Sequence, residues 1–251
     1  MKKSLFFLSI FAVACSSGDE TKQSQPSSTP TQCFFFFDKT SSVHTEEPFV
    51  LNKYQNLIKK AVTQDIKGQG DQLVVYFVHE NTAKGKSLNL ISRTEKLDEN
   101  GLNTTDLEAA RTNYQFDLKK EHNVFIRQAV AQLKKKNTHN SNRETDLLAT
   151  IPILSEAANS GEHIAAYFFS DMIESVNSGR DFHSKPPKNA EQAQTWAEED
   201  SNAFSGSNLS GVEVHLALPF EATVSSEKNN PNVSLYWTTL FENLGASVSE
   251  E

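Results

Sequence analysis

CFFFFDKTSS, residues 33–42, joins an apolar run to a polar loop. The apolar half predicts a strand that is buried on both faces, like the central strand of a parallel sheet. The polar half then lies at the carboxyl end of that strand, where open α/β sheets bind their ligands. Asp38, Thr40 and Ser42 alternate along the loop, so three hard oxygen donors can converge there. Such donors suit Mg²⁺ or a similar cation better than they suit Zn²⁺.

The order of these donors resembles a known metal site. Asp38-x-Thr40-x-Ser42 after an apolar strand is similar to the first loop of the metal-ion-dependent adhesion site in von Willebrand factor type A (VWA) domains. The signature of that family is Asp-x-Ser-x-Ser, and Thr40 is a conservative departure because it keeps the hydroxyl. The resemblance covers about residues 33–246, with its specific motifs in three loops.

Two later positions match the second and third loops of such a site, in the family's order. The family takes a Thr from a loop before a helix, and Thr145 precedes an amphipathic stretch at residues 147–158. It takes an Asp from a loop after a strand, and Asp171 follows the apolar residues 163–169. The Gly that often follows this Asp in the family is Met172 here.

The resemblance implies a metal site and a function in recognition. It assigns Mg²⁺, or Mn²⁺ or Ca²⁺, to Asp38, Thr40, Ser42, Thr145 and Asp171, with an open position for a Glu or Asp side chain of a protein partner. Plainer interpretations are Thr145 as a helix N-cap, Asp171 as a turn residue, and local hydrogen bonds at Thr40 and Ser42. The second functional hypothesis is a structural or assembly lipoprotein of an envelope complex, with a vestigial metal site.

The rest of the sequence alternates between strand and helix patterns. Helical spacing at residues 49–66 follows a start signal at Pro48, and residues 234–244 predict a closing helix. Strands are predicted at residues 73–78, 87–92, 163–169 and 211–218. This alternation predicts an α/β domain with a doubly wound, mostly parallel central sheet, helices on both faces and one antiparallel edge strand.

Two segments depart from a compact α/β pattern. Residues 104–136 carry an apolar stripe that predicts one very long helix, or two helices broken near His122 and Asn123. That helix either covers the sheet or projects as an arm toward a partner. Residues 181–207 form a polar insertion with Pro186 and Pro187, predicted to be mostly loop with a short helix at 190–199 and able to wall the metal site.

Residues 1–14 have the parts of a secretory signal peptide. Lys2 and Lys3 form the basic start, and the apolar residues that follow are too few to span a bilayer. Small residues before Cys15 resemble a bacterial lipobox, which implies lipidation of Cys15 and a bacterial cell-envelope location, with the outer membrane favoured. Ordinary cleavage without lipid is the alternative. Residues 15–32 then form a low-complexity tether to a domain at 33–251, and Cys33 is left as a lone buried thiol.

Charge and motifs disfavour several other classes of protein. The net charge of −8 disfavours non-specific nucleic-acid binding. The chain has no Gly-x-Ser-x-Gly turn, phosphate-binding glycine loop or His-Glu-x-x-His motif. Haloacid dehalogenase phosphotransferases also place an Asp after their first strand, but they need a second Asp two residues on as general acid, where this chain has Thr40. A binding protein rather than an enzyme is therefore predicted.

Overall fold

In the computed structural model, the described residues are 29–137, 143–176, 179–221, 224–225 and 229–251. Their elements, in chain order, are β1 (Thr31–Asp38), α1 (Pro48–Asp65), β2 (Gln72–Val78), a short 3₁₀ helix (Thr82–Lys84), β3 (Lys86–Ile91), α2 (Thr104–Lys134), α3 (Thr150–Ala158), β4 (His163–Phe169), α4 (Ala190–Ala203), β5 (Val212–Ala217), α5 (Pro231–Asn243) and β6 (Ser247–Glu250). No helix within these ranges combines the length and apolar composition needed to cross a bilayer.

The strands form one sheet in the order β3-β2-β1-β4-β5-β6. All neighbouring pairs are parallel except β2 and β3, which are antiparallel. The predicted α/β class, with a mostly parallel sheet and an antiparallel edge strand, is therefore confirmed. The chain builds outward from β1 to β3, then continues on the other side of β1 with β4. The carboxyl ends of β1 and β4 lie at this reversal, which is where open α/β sheets form ligand sites.

The two faces of β1 belong to two separate apolar cores. Phe35 and Phe37 pack with α1 and the second half of α2, whereas Phe34 and Phe36 pack with α3, α4 and α5. Because successive side chains of a strand point to opposite faces, a continuous apolar run is what a strand covered on both sides requires. The two cores thus explain the sequence of β1.

Helix α2 is continuous from Thr104 to Lys134, without the break that was considered near His122. His122 is buried, and its Nε2 lies 2.7 Å from the carbonyl oxygen of Ile66 at the end of α1. All four buried residues of α2 lie in its second half. The helix therefore covers the sheet with its second half, while its first half has no buried residue.

The insertion at residues 181–207 is more ordered than the sequence indicated. Helix α4 runs to Ala203 rather than ending near residue 199. Ala193 and Ala197 on its inner face are buried, and Asp200 accepts hydrogen bonds from Arg180 and from the Tyr236 hydroxyl of α5. Packing against α5 stabilises a longer helix than local propensity predicts.

The boundary between tether and domain lies slightly earlier than expected. The signal peptide, Cys15 and most of the tether lie outside the described residues. Strand β1 begins at Thr31 rather than at residue 33. The Thr31 amide donates to the Asp71 carboxylate (3.0 Å), and Thr31 pairs with His163 in the sheet. These contacts make the last residues of the expected tether part of the domain.

Replacing a core phenylalanine should reveal the two-sided burial of β1. Phe35 is fully buried between Tyr167 and Phe169, whereas Phe116 on the first half of α2 is 58% exposed. We expect Phe35→Ala to lower the free energy of unfolding by about 3–5 kcal/mol and Phe116→Ala to change it by less than about 0.5 kcal/mol. Urea denaturation measures the free energy of unfolding of both variants. Equal losses in the two variants would contradict the burial of Phe35.

Candidate metal-binding site

Asp38 forms the centre of a buried polar cluster at the end of β1. The Thr40 amide and hydroxyl both donate to Asp38 Oδ1, at 2.9 and 2.5 Å. The Ser170 hydroxyl donates to Asp38 Oδ2 at 2.6 Å. Each hydroxyl donates one hydrogen and keeps its lone pairs. The Thr40 oxygen can therefore support the Asp38 carboxylate and still act as a metal ligand.

Asp171 joins this cluster from the loop after β4. It accepts hydrogen bonds from the Ser42 hydroxyl and from the Ile173 amide. The Ser42 hydroxyl oxygen lies 3.2 Å from the Thr40 hydroxyl oxygen. The structure thus brings together four of the five predicted ligands: Asp38, Thr40, Ser42 and Asp171.

The two carboxylates of the cluster repel each other in a buried setting. Burial, followed by the charge of Asp171, raises the pKa of Asp38 from 3.8 to about 6. Burial likewise raises the pKa of Asp171. Among the described residues, no Lys, Arg or His forms an ion pair with either carboxylate. A divalent cation would remove this repulsion, so the charges fit the predicted cofactor.

Thr145, the fifth predicted ligand, lies at the same edge of the sheet. Its backbone pairs with that of Ser175 on the Asp171 loop, and the following amide, of Asp146, donates to the carbonyl oxygen of His79. Its hydroxyl is buried and has no hydrogen-bond partner within the described part of the chain. No hydrogen bond links it to the other four residues there. A buried hydroxyl without a hydrogen-bond partner fits the expected role of Thr145 as a metal ligand.

The alternative role of Thr145 as a helix N-cap is not seen. The N-cap residue of α3 is Ala149, and two acids instead bind the backbone amides of the turn that leads into the helix. Asp146 Oδ1 accepts from the Ala149 amide, and Glu174 Oε2 accepts from the amides of Leu147 and Leu148. Burial raises the pKa of Glu174 well above its ordinary value. These acids leave the Thr145 side chain without a capping function.

Sequence reasoning missed two residues that belong to this cluster. Ser170 lies between β4 and Asp171, where its position next to a predicted ligand was a usable signal. Tyr54 lies within the helical pattern at residues 49–66, and its ring packs edge-on against Phe169 (5.1 Å between centroids). Its buried hydroxyl, however, has no partner among the described residues, and after burial the charges of Asp38 and Asp171 raise its pKa. Nothing in helical spacing distinguishes such a hydroxyl from core.

The residue after Asp171, Met172, has a backbone conformation that favours glycine. Its φ is 60°, the left-handed region that side chains with a Cβ seldom adopt. The Met172 amide donates to the Ser170 hydroxyl (2.9 Å), and its carbonyl accepts from Trp237 Nε1 (2.7 Å). Its side chain is fully buried. These contacts hold a strained backbone directly after Asp171.

Two grooves flank the loop at residues 39–47. The first, which we call the apolar groove, has a volume of about 460 Å³ and is lined by Phe49, Val50, Pro219 and Phe220, with His44 and Glu221 at its sides. The second, which we call the lysine groove, has a volume of about 690 Å³ and is lined by Asp38, Thr40, Glu46, Lys134, Lys135 and Lys136. Residues of the 181–207 insertion line a different groove, with Lys185, Lys188 and Trp196, and they do not line these two.

The candidate metal ligands are carboxylate and hydroxyl oxygens. Within the described ranges, no group of three or more His, Cys, Asp or Glu side chains is placed to hold a metal ion. The candidate site therefore depends on hydroxyl oxygens as much as on its two carboxylates. Oxygen ligands of this kind are those that Mg²⁺ and Ca²⁺ take.

No protein-family model and no curated protein sequence matches this chain. Proximal thread matrix protein 1 from the mussel byssus aligns with a TM-score of 0.38 and 12% sequence identity, over 88% of this chain and 44% of that one. The pilus adhesin SpaC from Lactobacillus rhamnosus GG, in an open conformation, aligns with a TM-score of 0.38 and 14% identity, over 90% of this chain and 28% of that one. The chain spans less than half the length of either protein.

Alanine is usually a more stable replacement than glycine, but the strained backbone at Met172 should reverse this order of stability. Both Met172→Ala and Met172→Gly lose the buried side chain, but only glycine relieves the positive φ. We therefore expect Met172→Gly to be more stable than Met172→Ala by about 1 kcal/mol in urea denaturation. At Leu154, a buried position in α3, alanine should instead be the more stable replacement. The same order at both positions would argue against the strained backbone.

Asp38 should give the metal-free protein a distinctive pH dependence. A carboxyl whose pKa is higher in the folded state binds its proton more tightly there, so its stabilisation is complete below pH 3.8 and is lost as the pH rises through about 6. In EDTA, we expect the free energy of unfolding to fall by about 2–3 kcal/mol across this window. Asp38→Asn should remove this component, and Asp98→Asn, at an exposed site, should keep it. An unchanged pH profile in Asp38→Asn would exclude the raised pKa.

Proposed function

We propose that this chain is a VWA-like recognition domain that binds a protein partner through a divalent cation, Mg²⁺ or in its place Mn²⁺ or Ca²⁺. The ligands would be Asp38, Thr40, Ser42, Thr145 and Asp171. One observation carries the proposal: two buried carboxylates from separate loops meet at the reversal of the strand order, and neither forms an ion pair with a Lys, Arg or His among the described residues. The strand order β3-β2-β1-β4-β5-β6 also matches that of doubly wound dinucleotide-binding sheets and supports this winding.

The ligand set favours recognition of an acidic group. A bound divalent cation would be balanced by only two carboxylates, while its other protein ligands would be neutral hydroxyls. Such an ion stays electrophilic and binds a further carboxylate readily. The partner is therefore proposed to supply a Glu or Asp side chain. The Thr40 and Ser170 hydroxyls keep the Asp38 oxygens oriented for this purpose.

Binding is favoured over phosphoryl transfer by the surroundings of Asp38. A phosphotransferase of the haloacid dehalogenase type needs a proton donor two residues after its nucleophile. Here that residue is Thr40, whose hydroxyl donates to Asp38 itself. A hydroxyl is a poor general acid near neutral pH. The geometry therefore favours a Thr40 that orients Asp38 and binds the metal ion.

The proposed setting is the bacterial cell envelope. Cys15 would carry the lipid and residues 15–30 would connect it to the domain. The described domain begins on the side of the sheet opposite the metal site, because the parallel strands run from Thr31 toward Asp38. An anchor at that side would leave the candidate site facing away from the membrane.

Metal-dependent stabilisation tests the proposed site directly. Saturation at about 100 times the dissociation constant adds about 2.7 kcal/mol, which should raise the Tm by about 5–10 °C over that in EDTA. Asp38→Asn should abolish this Mg²⁺ response, whereas Asp98→Asn should retain it. A wild-type response in Asp38→Asn would reject the site, and no response in any variant would favour the assembly role with a vestigial site.

The variant Thr145→Val tests whether Thr145 is a metal ligand or only a structural residue. Valine has the same shape and removes a buried hydroxyl that has no hydrogen-bond partner, so the Tm in EDTA should stay the same or rise. The apparent Mg²⁺ affinity should fall at least about tenfold, as expected when a direct ligand is lost. Thr112→Val, on the exposed surface of α2, is the matched control. A lower Tm in EDTA with unchanged Mg²⁺ affinity would assign Thr145 a purely structural role.

A further inference from the structure

The lysine groove is held next to the candidate metal site by Lys39. This residue directly follows Asp38, and its Nζ donates to the carbonyl oxygens of Gln132 and Leu133 at 2.8 and 2.7 Å. These carbonyls lie in the last turn of α2, directly before Lys134. Lys39 therefore ties the end of α2 to the loop that carries Asp38.

A shared aromatic ring brings a second lysine to the same place. The Nζ atoms of Lys39 and Lys135 lie 4.7 and 5.8 Å from the centroid of the Phe77 ring. Lys134, Lys135 and Lys136 line the groove beside the metal site, so positive charge gathers there in a chain whose net charge is −8.

Lys39, rather than the surface lysines of the groove, donates hydrogen bonds to the carbonyls at the end of α2. Lys39 already occupies the terminal carbonyls of α2, which is where a cation near a helix C-terminus usually acts. Lys134, Lys135 and Lys136 are exposed, and none of them forms an ion pair with a carboxylate in the described part of the chain. They are free to meet charge on a partner.

We propose that the lysine groove binds further acidic side chains of the same partner, so that the partner presents a short acidic protein segment rather than a single carboxylate. This inference rests on the proposed metal site, which would take one acid of the segment. The next acids would lie along Lys134, Lys135 and Lys136. Complementary charge at such a rim speeds association and adds modest affinity.

The surroundings favour a protein segment over a longer polyanion. Glu46 lies within the groove, and Glu47 and Glu221 line the apolar groove on the other side of the loop. A nucleic acid, with a phosphate at every step, would place negative charge against these acids, whereas a protein segment can present its acidic side chains to the lysines and neutral residues to Glu46. The apolar groove, lined by Phe49 and Phe220, instead suits an apolar side chain of a peptide.

Two labelled peptides test the proposal on the purified full chain. Both peptides consist of Gly and Ser apart from their acidic residues. One carries a single Glu, and the other carries a short run of Glu. In Mg²⁺ and low salt, fluorescence anisotropy should show the multi-Glu peptide binding about tenfold more tightly, the gain that a few exposed charge pairs supply. The combined variant Lys134→Gln, Lys135→Gln, Lys136→Gln should reduce that affinity to the single-Glu value. It should leave the single-Glu affinity within about twofold of wild type.

The controls separate the lysine groove from net charge and from the metal. Lys119→Gln, Lys185→Gln, Lys188→Gln removes the same charge elsewhere and should keep the tenfold difference. Equal affinities of the two peptides for wild type, an unchanged ratio in the groove variant, or no detectable binding of either peptide would overturn the proposal. EDTA that leaves both affinities unchanged would instead overturn the metal-based function. Tighter lysine-dependent binding of a single-stranded oligonucleotide or of phosphatidylglycerol vesicles would overturn the assignment to a protein segment.

Discussion

β1 and β4 run side by side with Phe37 opposite Phe169, and this register brings the loops that follow them to one level of the sheet edge. Asp38 and Ser170, the next residues, meet there in a hydrogen bond of 2.6 Å. The same pairing stacks Phe36 on Phe168, with 4.8 Å between ring centroids. One backbone ladder therefore sets both the aromatic core and the geometry of the polar cluster.

The interior of the sheet and its carboxyl edge differ in how completely their polar groups are paired. The interior is apolar on both faces. The four buried polar atoms without a hydrogen-bond partner in the described part of the chain belong to Tyr54, Gln132, Thr145 and Glu174, in segments that pack at the carboxyl edge. A buried group left unpaired costs about 1–3 kcal/mol. Proteins leave buried polar groups unpaired mainly at functional sites. The position of these four atoms therefore supports the proposed site at this edge.

The strands buried on both faces were predictable because their apolar runs are continuous. β4 has the predicted bounds, and β1 and β2 differ from theirs by a few residues. Strand β6, Ser247–Glu250, was not predicted, because its sequence is short and polar and only its pairing with β5 defines it. Helix α4 was underestimated for a related reason: contacts of Asp200 with Arg180 and Tyr236 stabilise its second half.

The candidate site was predictable to the extent that it follows chain order. Asp38, Thr40 and Ser42 lie in one loop, and Asp171 follows a recognisable strand, so sheet topology alone brings them together. The burial that raises the carboxyl pKa values, and the position of the Tyr54 hydroxyl near the two acids, depend on packing between distant segments, which periodicity does not describe. The hydrogen bonds of Glu174 to the turn before α3 are likewise contacts across loops.

The alternating faces of β1 also constrain how the chain can change in length. A single residue inserted or deleted within β1 would exchange Phe34 and Phe36 with Phe35 and Phe37 between the two cores. It would also shift Asp38 by one strand step, about 3.3 Å, relative to Ser170. Homologous chains can therefore vary in length in the surface connections, but β1 and β4 have to keep their residue count from the first ladder pair to the loops that bear the two acids.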